Sequence, residues 1–192
     1  MDIELIHIKK RFANQPVFSD LNVTFAQGEI SCLMGPSGIG KSTLLNMIMG
    51  LIRPDSGEIK GTEHIRIAAV FQEDRLVEHW DAIKNIKLVC DAKISEARIE
   101  AELDRVLLKD YQQKPVKKLS GGMRRRVVIV RALLSESDLV ILDEPFRGLD
   151  KMLKDVVASY IKSMTENKTV IVVTHDHEDI ELLNAGKVML NG

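Results

Sequence analysis

Within Gly35-Pro36-Ser37-Gly38-Ile39-Gly40-Lys41-Ser42-Thr43, the first eight residues follow the pattern G-x-x-x-x-G-K-[ST]. Glycines at these positions let the backbone curl until several N–H groups point inward at phosphate oxygens. A helix beginning at the end of such a loop adds its positive terminus. Lys41 can reach the β- and γ-phosphates of a nucleotide as a point charge, and the Ser42 hydroxyl can ligate Mg²⁺. A second cluster, Leu139-Val140-Ile141-Leu142-Asp143-Glu144, is an apolar run ending in two acids. In chains with a phosphate-binding loop, the acid at such a strand end helps hold Mg²⁺, which suits Asp143. Glu144 stands one residue further out, where it can polarise an attacking water. A third cluster is Leu119-Ser120-Gly121-Gly122-Met123, ahead of Arg124, Arg125 and Arg126. Ser120 is a good helix N-cap, and two glycines beside it let an anion approach the helix end. One nucleotide does not need both anion sites from one subunit. Two copies arranged head to tail would each lend the Ser120 region to the other's nucleotide.

These groups need a scaffold, and the hydropathy pattern supplies one. Residues 30–34 form a short, mostly apolar run that stops at glycine, as does a strand buried on both faces. Residues 65–71, 139–142 and 170–173 read as further buried strands. Residues 3–5 and 21–25 alternate apolar and polar, in the manner of half-buried strands. Helical spacing runs over 42–49, 127–134 and 156–164, and residues 53–57 read as a turn. From about 73 to 118 the chain changes character: β-branched runs thin out and charges multiply. Ile99, Leu103, Val106 and Leu107 recur there at helical spacing. The pattern predicts an α/β fold with a mostly parallel sheet and a small helical insertion.

Composition limits the function classes. The chain has 192 residues, net charge −1, 45 % hydrophobic and 4 % aromatic residues. That is enough for one sizeable domain, short for a barrel of eight β/α units, and too apolar for intrinsic disorder. The balanced charge argues against a protein whose main work is holding nucleic acid. No apolar stretch reaches the 18–20 residues of a membrane span. The acidic start Met1-Asp2-Ile3-Glu4 lacks the pattern of a signal peptide. Cys32 and Cys90 are the only cysteines, without metal-ligand spacing, and point to a reducing cytoplasm. Cys32 reads as a small core residue.

Taken in order, the motifs resemble those of the ATP-binding subunit of an ABC (ATP-binding cassette) transporter, from about Ile3 to Leu190. The resemblance implies a P-loop NTPase core with an N-terminal antiparallel β-subdomain and an inserted helical subdomain. Its divisions would be 1–72 and 126–192 for the core and 73–125 for the helical part, within a single domain over 1–192. It implies ATP and Mg²⁺ as ligands. Phe12 falls where the family stacks an aromatic ring on adenine, and Gln72 matches the Q-loop glutamine near Mg²⁺ and water. Ser120, Gly121 and Gly122 match the signature that meets the nucleotide of a second copy. Asp143 and Glu144 match the Mg²⁺ aspartate and the catalytic glutamate. Asp150, in Gly148-Leu149-Asp150, matches the D-loop at the dimer interface. His175 matches the switch histidine at the γ-phosphate.

The resemblance further implies a transmembrane permease partner and a second copy or a paralogous ATPase subunit. A solute-binding protein would act through the permease, and no nucleic acid is involved. The chain would sit at the inner face of the cell membrane. Asp143-Glu144-Pro145-Phe146 resembles importer more than exporter subunits, and the regulatory C-terminal domain of some importers is not expected here. Nucleic-acid or ribosome-acting members of the family carry paired cassettes or a long coiled coil, and neither pattern occurs in this sequence. Met123, Arg147 and Phe12 depart from the commoner Gln, Ser and Tyr. The run Arg124–Arg126 reads as partner contacts or core salt bridges, and His7, His64, His79 and His177 as surface or boundary residues.

Overall fold

The computed structural model describes residues 1–13 and 15–190. Its main sheet is built from β3 (Ile30–Met34), β5 (Ile67–Val70), β6 (Leu139–Asp143), β7 (Thr169–Val173) and β8 (Gly186–Met189). The order across the sheet is β5-β6-β7-β3-β8, and every neighbouring pair is parallel. A separate antiparallel sheet has the order β2-β1-β4, from β1 (Ile3–Phe12), β2 (Gln15–Phe25) and β4 (Ser56–Lys60). The helices are α1 (Lys41–Ile48), α2 (Ala82–Lys87), α3 (Glu96–Arg105), α4 (Gly121–Leu134), α5 (Lys151–Met164) and α6 (Glu178–Leu183), with a 3-10 turn over Val116–Lys118.

Strand side chains alternate between two faces, and the core divides accordingly. Leu33, Leu139, Ile141, Ile171 and Val173 join Leu44, Leu45 and Ile48 of α1 and Ile3, Leu5 and Phe25 of the antiparallel sheet. Cys32, Val140, Leu142, Val170 and Val172 face the other way, toward α4 and α5. Ile86 of α2 and Ile99 and Leu103 of α3 belong to that second cluster. Cys32 is fully buried, and burial pushes its thiol up to about 12, so it is an inert core group.

Several boundaries differ from the sequence expectation: β1 and β2 run well beyond 3–5 and 21–25, and α5 begins at Lys151 and not at 156. The turn over 53–57 gives way at Ser56 to β4, an exposed edge strand paired Glu4↔Lys60 and Leu5↔Ile59. The strand expected over 65–71 is the shorter Ile67–Val70. The helix expected from 127 starts at Gly121, so Gly121 and Gly122 lie inside its first turn and Arg125 and Arg126 in its second. Leu107 also leaves the helical pattern: α3 ends at Arg105, and Leu107 is exposed with φ 52°. Among the described residues no helix is long and apolar enough to cross a membrane.

Leu33 is fully buried in β3, between two strands and over α1. Leu33→Ala should lower unfolding free energy by about 2–5 kcal/mol with little change in urea m-value. A loss under about 0.5 kcal/mol by urea titration would show that β3 is not at the packed centre.

Candidate functional site

Parallel pairing sets the row Val70–Leu142–Val172–Cys32 across four strands. Just beyond it, all four chains leave the sheet at the same edge. Gln72 follows β5, Asp143 and Glu144 end β6, His175 follows β7, and the 35–43 loop follows β3. A cavity of about 290 Å³ at that edge is lined by Gly35, Ser37, Gly38, Gly40, Lys41, Ser42, Gln72, Asp143, Glu144 and His175. Residues 38 to 175 are thus gathered by strand order alone, at the carboxyl edge where open α/β sheets bind ligands.

The loop is shaped by close approach. Gly40 has φ 108°, and a Cβ there would sit 2.6 Å from Val17 Cγ1 and 2.7 Å from the Phe18 ring. Its carbonyl accepts from Leu44 N–H at 2.8 Å, opening α1 directly beneath the cavity. Lys41 Nζ donates to the Gly35 and Pro36 carbonyls at 2.7 and 2.9 Å, which holds the ammonium against its own loop. Pro36, Ile39 and Thr43 shape the loop and α1 without lining the cavity. Phe12 stands apart at the end of β1, half exposed, with Lys10 Nζ 5.3 Å from its ring centre.

The acids are set differently from one another. Burial, then the neighbouring Glu144 charge, raises the Asp143 carboxyl above its ordinary range, while Arg125 and Lys41 pull it back. Glu144 adopts φ 53°, a left-handed conformation costly for a residue with a Cβ. It is held by its N–H donating to Val173 O at 2.9 Å and by its carbonyl accepting from Arg147 N–H at 3.2 Å. Glu144 Oε1 lies 2.9 Å from His175 Nδ1. That hydrogen bond, reinforced by the carboxylate charge, raises the His175 pKa above 6.5.

Ser120, Gly121, Gly122 and Asp150 are not brought to this cavity. They line a second one of about 700 Å³ with Arg124, Arg125, Arg126 and Arg147, and the two cavities share Gln72 alone. Ser120 Oγ caps α4 by accepting from Met123 N–H at 3.2 Å, and Asp150 caps α5 by accepting from Leu153 N–H at 2.9 Å. Apart from its chain neighbours and its own helix backbone, no described atom lies within 4 Å of a Cβ placed on Gly121. At Gly122 the same Cβ would sit 3.0 Å from Gly148 O.

The sequence family of ABC transporters matches residues 18–147, more than half of the chain. The chain belongs to the ABC transporter family. This cassette is 33 % identical to the spermidine/putrescine import ATP-binding protein PotA of Fusobacterium nucleatum, covering 100 % of the cassette and 57 % of PotA. A Nod factor export ATP-binding protein of Cupriavidus pinatubonensis is 32 % identical, covering 94 % of the cassette and 61 % of that protein. The chain therefore spans somewhat more than half the length of the curated relatives it matches. The dimeric bacterial ABC transporter cassette MJ0796 superposes with a TM-score of 0.83 at 28 % identity, covering 98 % of this chain and 94 % of that one. A second dimeric structure of MJ0796, in a post-hydrolysis state bound to ADP and Pi, gives 0.82.

The structure adds residues to the cassette's site that no motif pointed to. Lys154 Nζ on α5 donates to Asp176 Oδ2 at 2.7 Å and to Asp179 Oδ1 at 3.4 Å. Asp179 is buried and also accepts from the Thr174 hydroxyl. This network fastens the loop carrying His175 to the helix that begins after Asp150. Lys154 stands 22 and 25 positions from Asp176 and Asp179, so only tertiary structure joins it to them. Arg125 and Arg126 are buried in the core, while Arg124 pairs with Asp74. His7, His64, His79 and His177 are exposed, in keeping with the surface assignment.

The His175–Glu144 pair fixes a pH dependence. A histidine pKa raised on folding contributes stability that is complete below 6.5 and is lost as pH rises through the raised value. An NMR titration of the imidazole should find His175 above 6.5, and Glu144→Gln should return it toward 6.5. Titration at or below 6.5 in the unaltered chain would refute the pairing.

Proposed function

We propose that this chain is the ATP-hydrolysing subunit of a transporter, driving a separate membrane permease by closing and opening around ATP. The observation that carries this reading is the meeting of Lys41, Ser42, Gln72, Asp143, Glu144 and His175 in one cavity at the carboxyl edge of the sheet. Phosphoryl transfer to water needs positioning and charge stabilisation rather than a covalent intermediate, and these residues supply both. The loop N–H groups and Lys41 take the β- and γ-phosphates. Phe12, exposed at the rim of the antiparallel sheet, stacks on adenine. Glu144 accepts the proton of the attacking water as its oxygen bonds to the γ-phosphorus. The bond from that phosphorus to the bridging oxygen breaks, and ADP leaves with the electron pair. His175 donates to the γ-phosphate, and Gln72 orients the water.

The Ser42 hydroxyl, the Gln72 amide and the Asp143 carboxylate form the hard-oxygen set that Mg²⁺ takes together with phosphate oxygens. Mg²⁺ bound there would offset the phosphate charge and the raised pKa of Asp143. Ser120, Gly121 and Gly122 open on a different cavity, which supports their serving the nucleotide of a second copy, with Asp150 and Arg147 along that interface. Two copies, or one with a paralogous ATPase subunit, then enclose two nucleotides. ATP prefers the closed pair, and that difference in affinity is what closure transmits.

Trp80, Leu88 and Val89 are exposed apolar residues of the 73–125 segment and suit contact with the permease at the inner face of the membrane. Import is favoured by Phe146 after the acid pair and by the likeness to PotA. The likeness to a Nod factor export protein supports the export alternative. A solute-binding protein would meet the permease and not this chain.

Glu144→Gln should keep ATP affinity, cut phosphate release by roughly 10²–10⁴, and accumulate an ATP-bound pair on gel filtration. Near-normal turnover in that variant would remove Glu144 from the chemistry. Gly121→Ala isolates the second cavity. Alanine restricts the unfolded chain more than glycine does, and at this first helical position its methyl meets no described atom beyond the chain neighbours and the helix's own backbone. The melting temperature should therefore hold or rise while ATP turnover falls at least tenfold. Unchanged turnover would mean that no nucleotide approaches Gly121.

A further inference from the structure

Arg125 is buried in the second turn of α4, only 3 % exposed, yet its guanidinium faces the ends of two strands and not the apolar cluster around it. One terminal nitrogen donates to Phe71 O at 2.6 Å, immediately before Gln72. The other donates to Asp143 O, and to Glu144 O at 2.8 Å. Asp74 Oδ1 lies 3.5 Å away. The three carbonyls belong to the ends of β5 and β6, where the sheet ladder stops and no further strand residue can pair with them.

Burying a guanidinium costs several kcal/mol unless its N–H groups and charge find partners. Here Asp74 offsets the charge and the carbonyls take both terminal nitrogens, while the buried Nε has no hydrogen-bond partner among the described residues. A planar fork with fixed donor directions dictates the distance between its acceptors, which a flexible ammonium does not. One of those acceptors is the carbonyl of Glu144, whose left-handed backbone persists only where the surroundings over-determine it. The other two hydrogen bonds on that peptide unit come from β7 and from its own turn. Arg125 alone reaches it from α4, the helix that Ser120 caps. Arg125 lies five positions along from Ser120, about 7.5 Å of rigid helix.

We propose that Arg125 is a positioning residue: it clamps the Phe71 and Glu144 carbonyls, so that Gln72 and the Glu144 carboxylate are held in register with each other and with the Ser120 end of α4. Its catalytic consequence rests on the hydrolytic reading above. The clamp itself does not, because it is visible without turnover.

The test uses the full chain with Arg125→Met and Arg125→Lys, followed by amide hydrogen exchange and by steady-state phosphate release. In Arg125→Met, protection of the Glu144 and Arg147 amides should fall at least tenfold while Ile141 and Ile171 at the sheet centre stay within twofold. ATP affinity by calorimetry should stay within threefold, and kcat should fall at least tenfold with KM little changed. Arg125→Lys, which can reach fewer acceptors, should recover part of both losses. Unchanged protection at Glu144 and Arg147 overturns the proposal. A loss spread evenly through the sheet, or failure of both variants to fold, does the same by making Arg125 a general core member. A wild-type chain that releases no phosphate would instead reject the hydrolytic reading, and the exchange pattern would still decide the clamp.

Discussion

Everything at this site depends on five strands running the same way. In a parallel sheet all carboxyl ends lie on one edge, so whatever follows each strand is delivered to the same place. With neighbouring strands about 4.8 Å apart, the four strands from β5 to β3 set their loops along a line of about 14 Å, the scale of a nucleotide's phosphates and sugar. Residues 72, 144 and 175 are spread over half the sequence, but each sits two or three positions beyond one transverse row. An antiparallel neighbour anywhere between β5 and β3 would have sent one of these groups to the opposite edge. The antiparallel pairing in this fold is kept to β1, β2 and β4, which lie on one face and contribute Val17 and Phe18 beneath the loop.

Charged groups in the core then do what apolar packing cannot. Hydrophobic contacts are non-directional and leave a loop free to shift by tenths of an ångström. Buried arginines add direction. Arg126 donates to the Val106 and Leu107 carbonyls at 2.9 and 2.7 Å, next to the C-terminal end of α3. Arg131 donates to the Arg75 carbonyl at 3.0 Å. Cations are favoured near helix C-termini, where carbonyls lack partners. These bonds tie the end of α3 and the loop after β5 to α4, and the Lys154 network ties the loop carrying His175 to α5.

The buried strands were the most legible part of the sequence. Residues 30–34 are a mostly apolar run and 139–142 and 170–173 continuous ones, a pattern that suits double-sided burial, and their edges match to within a residue. β4 was not legible, because Ser56-Gly57-Glu58 carries the composition of a turn and its pairing with β1 is set by partners 50 positions away. The start of α4 was readable from Ser120 as its N-cap, although the apolar spacing alone begins only at 127, after two glycines and three arginines. At the site, the phosphate loop and the acid pair were readable because local backbone chemistry fixes their spacing. The inward turn of Arg125 and the Lys154 network were not, because they follow from helix rotation and tertiary packing.

The left-handed backbone at Glu144 carries a consequence for how this chain would change under selection. Glycine or asparagine would occupy φ 53° with less strain, relieving on the order of 1 kcal/mol. Laboratory evolution for heat resistance alone would therefore drift toward those residues at 144, trading away the carboxylate that faces His175. Durability and the pairing with His175 compete at this one residue, and a library sorted on survival temperature would lose that pairing first.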